Sequence, residues 1–337
     1  MKIALDAMGG DFGPKATVKG AVLALKENKE ISVILIGKKN EIEKELKKCD
    51  YDKNRLEIIH TDENIKVEEG ESPARIVKKS PKASMNIALD LVKNGEAIAS
   101  VSAGNTGALL SASLFKLKRI KGVLRPAITA IMPAKDGYVA LVDAGANAEC
   151  KPQYLEQFAK MGVIYTKVLF EKADPKVGLL NIGEEPGKGN DLSIETYKLL
   201  KENKGINFYG NIESRDMMSG LVDVIVTDGF TGNITLKAAE GVATFVLDLL
   251  KEAIKSSFVA KIGAFFMLPA LKKMKERMDY SEYGGAIFLG VNGISIKSHG
   301  SSDENAIKNG IKIAHRFAEK KIIVQLQEDF KKKEGEE

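Results

Sequence analysis

Tryptophan is absent from this chain, and its 13 Phe and 8 Tyr are scattered over 337 residues, so it has no aromatic platform for stacking nucleic-acid bases. There are two cysteines. Cys49 among lysines and Cys150 after Asn147-Ala-Glu are too badly spaced for a disulfide framework or a zinc site, and point to a reducing cytoplasm. No stretch approaches the ~20 uninterrupted apolar residues that cross a bilayer. No charged leader with an apolar run precedes the first strand-like segment, so no secretory signal is expected. Asp, Glu and His do not gather at metal-ligand spacing; neither a metal nor a cofactor is expected. The formal net charge of +5 is modest and spread along the chain, which fits an acidic partner or a membrane surface better than nucleic acid.

Nucleotide and serine-hydrolase motifs are missing as well. No complete G-x-G-x-x-G occurs. Gly183-Glu-Glu-Pro-Gly187-Lys188-Gly189 has three residues between its first two glycines and Gly after the lysine, whereas a P-loop needs four and then Ser or Thr. No Ser-His-Asp order or G-x-S-x-G elbow is present, which argues against a covalent serine mechanism.

What is present is an alternation. Strand-like runs recur at Ile3–Leu5, Ser32–Ile36, Leu56–Ile59, Ile98–Val101, Ile128–Met132, Val139–Val142, Val177–Leu180, Ile206–Tyr209, Val222–Val226 and Ile287–Leu289. Amphipathic helical patterns such as Ala16–Lys26, Ala83–Lys93 and Leu192–Lys201 lie between them. Parallel neighbours need helical crossovers, so this rhythm predicts a three-layer α/β/α sandwich with a largely parallel mixed sheet. One catalytic domain is expected over 1–330, with 331–337 a solvated, flexible tail. Residues 238–280 break the rhythm: Val242, Phe245, Val246, Leu249 and Leu250 recur at helical spacing. Next comes an apolar run in which Lys261 is the only charge up to Leu271, and then Lys272, Lys273, Lys275 and Arg277. A protruding helical hairpin is expected there, as a dimer interface with a tip of Phe258, Ile262, Phe265, Phe266, Met267 and Leu268 that dips into an anionic lipid surface.

Several of the strands stop in loops of Gly, Asn, Asp, Ser and Thr. Bare backbone amides at the end of a parallel sheet favour anions, which marks Gly10, the Gly104-Asn105-Thr106-Gly107 run and Asn147 as substrate-binding candidates. Asp228-Gly229-Phe-Thr231-Gly232-Asn233 brackets polar side chains with glycines. His299 sits in a polar loop before a helix that starts near Asp303. Lys188 lies among Gly and Asn after an apolar strand, with Asn190 placed either to cap the next helix or to meet a ligand.

Taken together and in order, Ile3-Ala-Leu-Asp-Ala-Met-Gly-Gly-Asp11, Ser102–Leu109, Asp143-Ala-Gly-Ala-Asn147, Gly178–Gly183, Lys188-Gly-Asn190, Phe208-Tyr-Gly-Asn211-Ile, Thr227–Asn233, Tyr283-Gly-Gly285 and His299-Gly-Ser-Ser302 resemble the PlsX-type phosphate acyltransferases over nearly the whole chain. The resemblance implies transfer of a long-chain acyl group from acyl-acyl-carrier-protein to inorganic phosphate, giving acyl-phosphate for phospholipid synthesis. It implies a fold similar to isocitrate and isopropylmalate dehydrogenases, a homodimer, peripheral attachment to the cytoplasmic membrane face, and a glycerol-3-phosphate acyltransferase as downstream partner. On that reading Lys188 clamps phosphate or the oxyanion and Asn233 donates to the carbonyl oxygen. Backbone amides at Gly104–Gly107 and Gly229–Gly232 cradle phosphate, His299 and Asp228 orient those groups, Asn211 is a further substrate-binding candidate, and loops at Gly10, Asn105, Asn147, Lys188 and Asn233 converge on one cleft. The alternatives on the same fold are a coenzyme-A-dependent phosphate acetyltransferase and a decarboxylating dehydrogenase. The second wants several acids at a metal where Asp228 stands alone.

Overall fold

The computed structural model describes residues 1–278 and 285–331, with residues 275–278 described by their backbone. The expected tail beyond 331, the end of the helical excursion at 279–280, Tyr283-Gly284 and the side chains of Lys275 and Arg277 lie outside the described residues. Eleven strands form one sheet: β1 (Lys2–Asp6), β2 (Ser32–Gly37), β3 (Leu56–His60), β4 (Ala99–Ser102), β5 (Ala127–Ala134), β6 (Gly137–Val142), β7 (Lys176–Asn181), β8 (Asn207–Glu213), β9 (Val224–Val226), β10 (Ala286–Leu289) and β11 (Ile294–Lys297). Their spatial order is β3-β2-β1-β4-β11-β10-β5-β6-β9-β7-β8. Ten coincide with runs expected from the sequence; β11 does not.

Alternate residues of the buried strands feed opposite faces, as a period of two demands. Ile3, Leu5, Val33 and Leu35 pack with α1 (Pro14–Glu27), α6 (Pro152–Phe170), α10 (Glu304–Glu319) and α11 (Ile322–Lys331). Ala4, Ile34 and Ile36 pack with α4 (Ser84–Lys93) on the other face. There, too, Ile128, Leu141 and Ile225 meet α5 (Thr106–Leu117). The chain is thus an α/β/α sandwich with a mixed, largely parallel sheet.

The pairings β11–β10, β10–β5 and β5–β6 are antiparallel, and the others are parallel. Two consequences position the site. First, three reversals mean that β3-β2-β1-β4-β11 and β6-β9-β7-β8 run in opposite directions. Loops that follow β1, β4 and β11 leave one edge of the sheet, and loops that follow β6, β7 and β9 leave the other. Loops of both halves nevertheless meet over the join, where Gly145 after β6 and Asn233 after β9 come beside Thr106 and His299, while the loop after β7 that carries Lys188 does not reach it. Second, antiparallel neighbours need no crossover helix: β5 and β6 are joined by Lys135-Asp136, and β10 and β11 by residues 290–293. The middle of the sheet therefore has a gap in one helical layer. On one side of that gap lies the start of α5, and on the other the start of α8 (Gly229–Ser256).

α8 begins nine residues before the expected excursion. Its first turn is the Asp228–Asn233 segment read from sequence as a loop, because the Asp228 carboxylate accepts the Thr231 amide at 2.9 Å and caps the helix. α8 then packs against α9 (Phe258–Met278) and projects from the sandwich, and only Gly229 and Gly232 along α8 are buried.

Candidate active site

Two buried carboxylates shape the loops. Asp6, ending β1, accepts Ser84 Oγ and Ser102 Oγ at 2.6 Å each and the Met8 amide at 3.2 Å. Ser102 Oγ in turn accepts the Gly104 amide at 3.1 Å. Gly10, at φ 83°, lies where a Cβ would sit 2.9 Å from the Gly300 carbonyl oxygen, so glycine lets the loop after β1 press against the loop after β11. Asp143, after β6, accepts the amides of Ile128, Gly145, Ala146 and Asn147 and the Asn147 side chain, all at 2.7–3.1 Å. Burial pushes both carboxyls above their ordinary value, and these hydrogen bonds work against it.

Two cavities adjoin over the gap in the helical layer. The first, of about 360 Å³, has a largely apolar wall of Leu110, Ile128, Ala130, Ile131, Ala144 and Leu236, and a polar end made by Asn233, Lys237, Glu240, Lys297 and His299. The second, of about 440 Å³, is lined by Gly9, Gly10, Asp11, Lys66, Gly104, Asn105 and Gly300. Thr106 and Lys297 line both. At the start of α5 the Asn105 side chain takes the Ala108 amide at 3.0 Å. The Thr106 and Gly107 amides meet no acceptor among the described residues, as the first turn of a helix dictates.

The candidates divide along these lines. Gly10, Gly104, Asn105, Thr106, Gly107, Asn233 and His299 line the paired cavities. Asn190, Asp228 and Thr231 line a third cavity of about 410 Å³ on the opposite face of α8 from Asn233. Asn190 caps α7 (Asp191–Glu202) through the Ser193 amide at 2.9 Å, its structural alternative. Asn147 is consumed by Asp143 and by the Pro126 carbonyl at 2.8 Å, and Asn211 is buried with its amide on the Glu185 carbonyl at 2.8 Å. The Gly229 and Gly232 amides are not bare either: they donate to the Asn147 and Asp228 carbonyls at 2.8 and 2.9 Å. Lys188 is 52% exposed, lines none of the three cavities and reaches Glu185 at 3.9 Å.

Sequence reasoning missed Lys237, Glu240 and Lys297. Lys237 and Glu240 form an ion pair at 2.8 Å one turn beyond the expected loop; the signal was their spacing from Asn233, invisible while that segment read as a loop. Lys297 ends the unrecognised β11. Partial burial, with the Lys237 ammonium second, lowers the His299 pKa. Its Nδ1 accepts the Ser301 amide at 3.2 Å, so the neutral ring carries its proton on Nε2. Burial pushes the Cys150 thiol up to about 12, which removes it as a nucleophile. Among the described residues no three His, Cys, Asp or Glu side chains group to hold a metal ion.

A cleft with an apolar bay, a polar end and helix-start amides can hold an acyl chain against an anion. The family described as fatty acid synthesis protein matches residues 1–325. A phosphate acyltransferase of Fusobacterium nucleatum is 54% identical over 328 residues, covering 97% of this chain and 98% of that protein. One from Clostridium perfringens strain SM101 is 50% identical over 333 residues, covering 99% and 98%. Among solved structures, a phosphotransacetylase from Streptococcus pyogenes aligns with a TM-score of 0.64 at 19% identity and 94% coverage of both chains. The EutD phosphotransacetylase from Staphylococcus aureus aligns with a TM-score of 0.61 at 17% identity, again covering 94% of both. These two bear on the fold alone. The chain belongs to the fatty acid synthesis protein family, the PlsX-type phosphate acyltransferases, and is an acyltransferase enzyme.

Proposed function

We propose that the enzyme moves a long-chain acyl group from acyl-acyl-carrier-protein to inorganic phosphate, making acyl-phosphate for phospholipid synthesis. The observation that carries this reading is the pairing of an apolar bay with a glycine-lined anion cavity across Thr106 and Lys297. Each methylene buried in the bay contributes ~0.8 kcal/mol, which favours a long acyl donor over acetyl. A phosphate oxygen attacks the thioester carbonyl carbon and the tetrahedral oxyanion collapses with loss of the thiolate. The proton on hydrogen phosphate ends on that sulfur, so acyl-phosphate and free thiol leave. A thiolate of ordinary pKa near ~8.5 departs without strong acid help, so the protein's part is placement and charge stabilisation.

Asn233, whose carboxamide meets no partner among the described residues, is the oxyanion donor, and the Thr106 and Gly107 amides take phosphate. Lys188, exposed, draws the anionic substrates in through a salt-screened field. Residues 1–330 work as one catalytic unit, as a cytoplasmic homodimer held at the inner membrane face by the tip of α9. There a glycerol-3-phosphate acyltransferase consumes the product. The acidic carrier protein docks by charge complementarity near Arg75–Lys79 or the lysines of α9.

The decisive assay is release of free thiol from acyl-carrier-protein donors. Release should depend on added phosphate and be faster with long chains than with acetyl. Thiol release indifferent to phosphate, or faster with acetyl-coenzyme A than with any long-chain carrier donor, overturns the reading.

A further inference from the structure

We infer that Lys297 is the phosphate anchor of this enzyme, its ammonium set in the wall common to the glycine-lined and apolar cavities, beside the open amides at the start of α5. The inference rests on the acyl-transfer reading above. Lys297 closes β11 in register with Ser102, the last residue of β4, so it stands where the loop before α5 departs. A Cβ on Gly285 would lie 2.3 Å from the Lys297 carbonyl oxygen, so the neighbouring strand passes close enough to fix its backbone.

The residue is 9% exposed. Its Nζ donates to the Ser298 carbonyl, and among the described residues no carboxylate forms an ion pair with it. A buried cation without a counter-ion is costly. A phosphate dianion at the junction of the two cavities, where Thr106 and Lys297 line both and Gly107 lines the first, supplies the missing charge and accepts from the Thr106 and Gly107 amides as well. The charged and titratable groups around it come from several elements. Asp11 follows β1 and Lys66 lies in the second cavity, while Lys237 and Glu240 are on α8 and His299 follows β11. Glu240 is committed to Lys237, which leaves Asp11 as the acid that supports the charge, against Lys237, which opposes it.

A phosphate also occurs in the arm of the carrier protein, so the same chemistry has two sources. The placement beside the junction with the apolar bay, where the acyl carbonyl must lie, favours inorganic phosphate as the nucleophile.

Burial lowers the Lys297 pKa from 10.5 to about 8, with Lys237 adding to the shift. The ammonium is present below that value and lost as pH rises through it. Above pH 8 phosphate is already a dianion, so its own titration does not intrude. The KM for phosphate should therefore rise on the order of tenfold between pH 8 and 9.5. Lys297→Met should show a KM for phosphate raised at least tenfold at pH 8 and flat to 9.5, with the KM for the acyl donor within threefold of wild type. A wild-type KM for phosphate in Lys297→Met, a rise with pH that survives the substitution, or a shift confined to the KM for the donor overturns the assignment. Should the variant be too slow to assay, thermal melting decides. Inorganic phosphate should raise the wild-type Tm in a concentration-dependent way and leave that of Lys297→Met unmoved, and an equal shift in both defeats the inference. The melting experiment stands apart from turnover, so a wild-type enzyme that binds phosphate through Lys297 without transferring acyl groups would sink the function and spare the anchor.

Discussion

Asn233 and Lys188 carry opposite electrostatic expectations, because in the proposed mechanism one donates inside the cleft and the other acts from solvent. Loss of a pre-aimed oxyanion donor typically costs about 10²–10³ in turnover. Asn233→Ala should fall in that range in kcat with little change in either KM, since the carbonyl accepts most strongly once it carries charge. Lys188 is half exposed, so Lys188→Ala should raise KM at low salt, and the difference should fade as ionic strength rises. Steady-state kinetics at two salt concentrations separate the two behaviours; a salt-independent loss of kcat in Lys188→Ala would move that lysine into the chemistry. Individual residues were legible in the sequence where a glycine or a capping side chain sits at a strand end, as at Gly10 and Asn105. They were illegible where hydrogen bonding uses the group up. Asn147, Asn190 and Asn211 have the right residue type in the right kind of segment, yet each commits at least one carboxamide atom to the fold. Only the partner tells a scaffold asparagine from a ligand-binding one.

At the scale of elements, period and turn residues made ten strands readable, and β11 was missed for a physical reason. Ile294-Ser-Ile-Lys297 is central and buried on both faces, but it satisfies its polar residues with specific partners, Ser295 Oγ with Ser113 Oγ at 3.0 Å for one, so it lacks the apolar run that marks a buried parallel strand. The α8–α9 pair shows the converse, a helical pattern readable from sequence whose apolar faces the fold does not bury. Phe265 and Phe266 are 68% and 77% exposed and pack on each other at 5.6 Å between ring centroids, with Phe258, Ile262, Met267 and Leu268 also open to solvent. No helix among the described residues is long and apolar enough to cross a membrane, so lipid contact would be in the plane of the surface. Phe265→Asp with Phe266→Asp should abolish co-sedimentation with anionic liposomes and leave phosphate-dependent thiol release with a soluble donor within about twofold, as surface substitutions far from a site generally do. Retained liposome binding would reassign the patch to a protein interface.

The whole molecule divides into two parallel half-sheets of opposite direction, joined by antiparallel strands, with the cleft over the join. Because α8 runs unbroken from Asn233 in the cleft to the projecting hairpin, whatever covers α8 would also steady the proposed oxyanion donor. Val242, Phe245, Val246 and Leu249 form an exposed stripe on α8 about two and a half to four and a half turns beyond Asn233. An apolar stripe of that length on a single chain calls for a protein partner, and a second copy supplies an identical stripe about a two-fold axis. Phe245→Glu with Leu249→Glu places like charges across such an axis, and should convert a dimer to a monomer by light scattering coupled to gel filtration. If the stripe is the interface, activity should fall with the dimer fraction on dilution of the wild type as well, because the free end of α8 then holds Asn233 less firmly. A double variant that stays dimeric refutes the assignment. A monomer with full kcat would keep the interface and break the proposed link between assembly and the oxyanion donor.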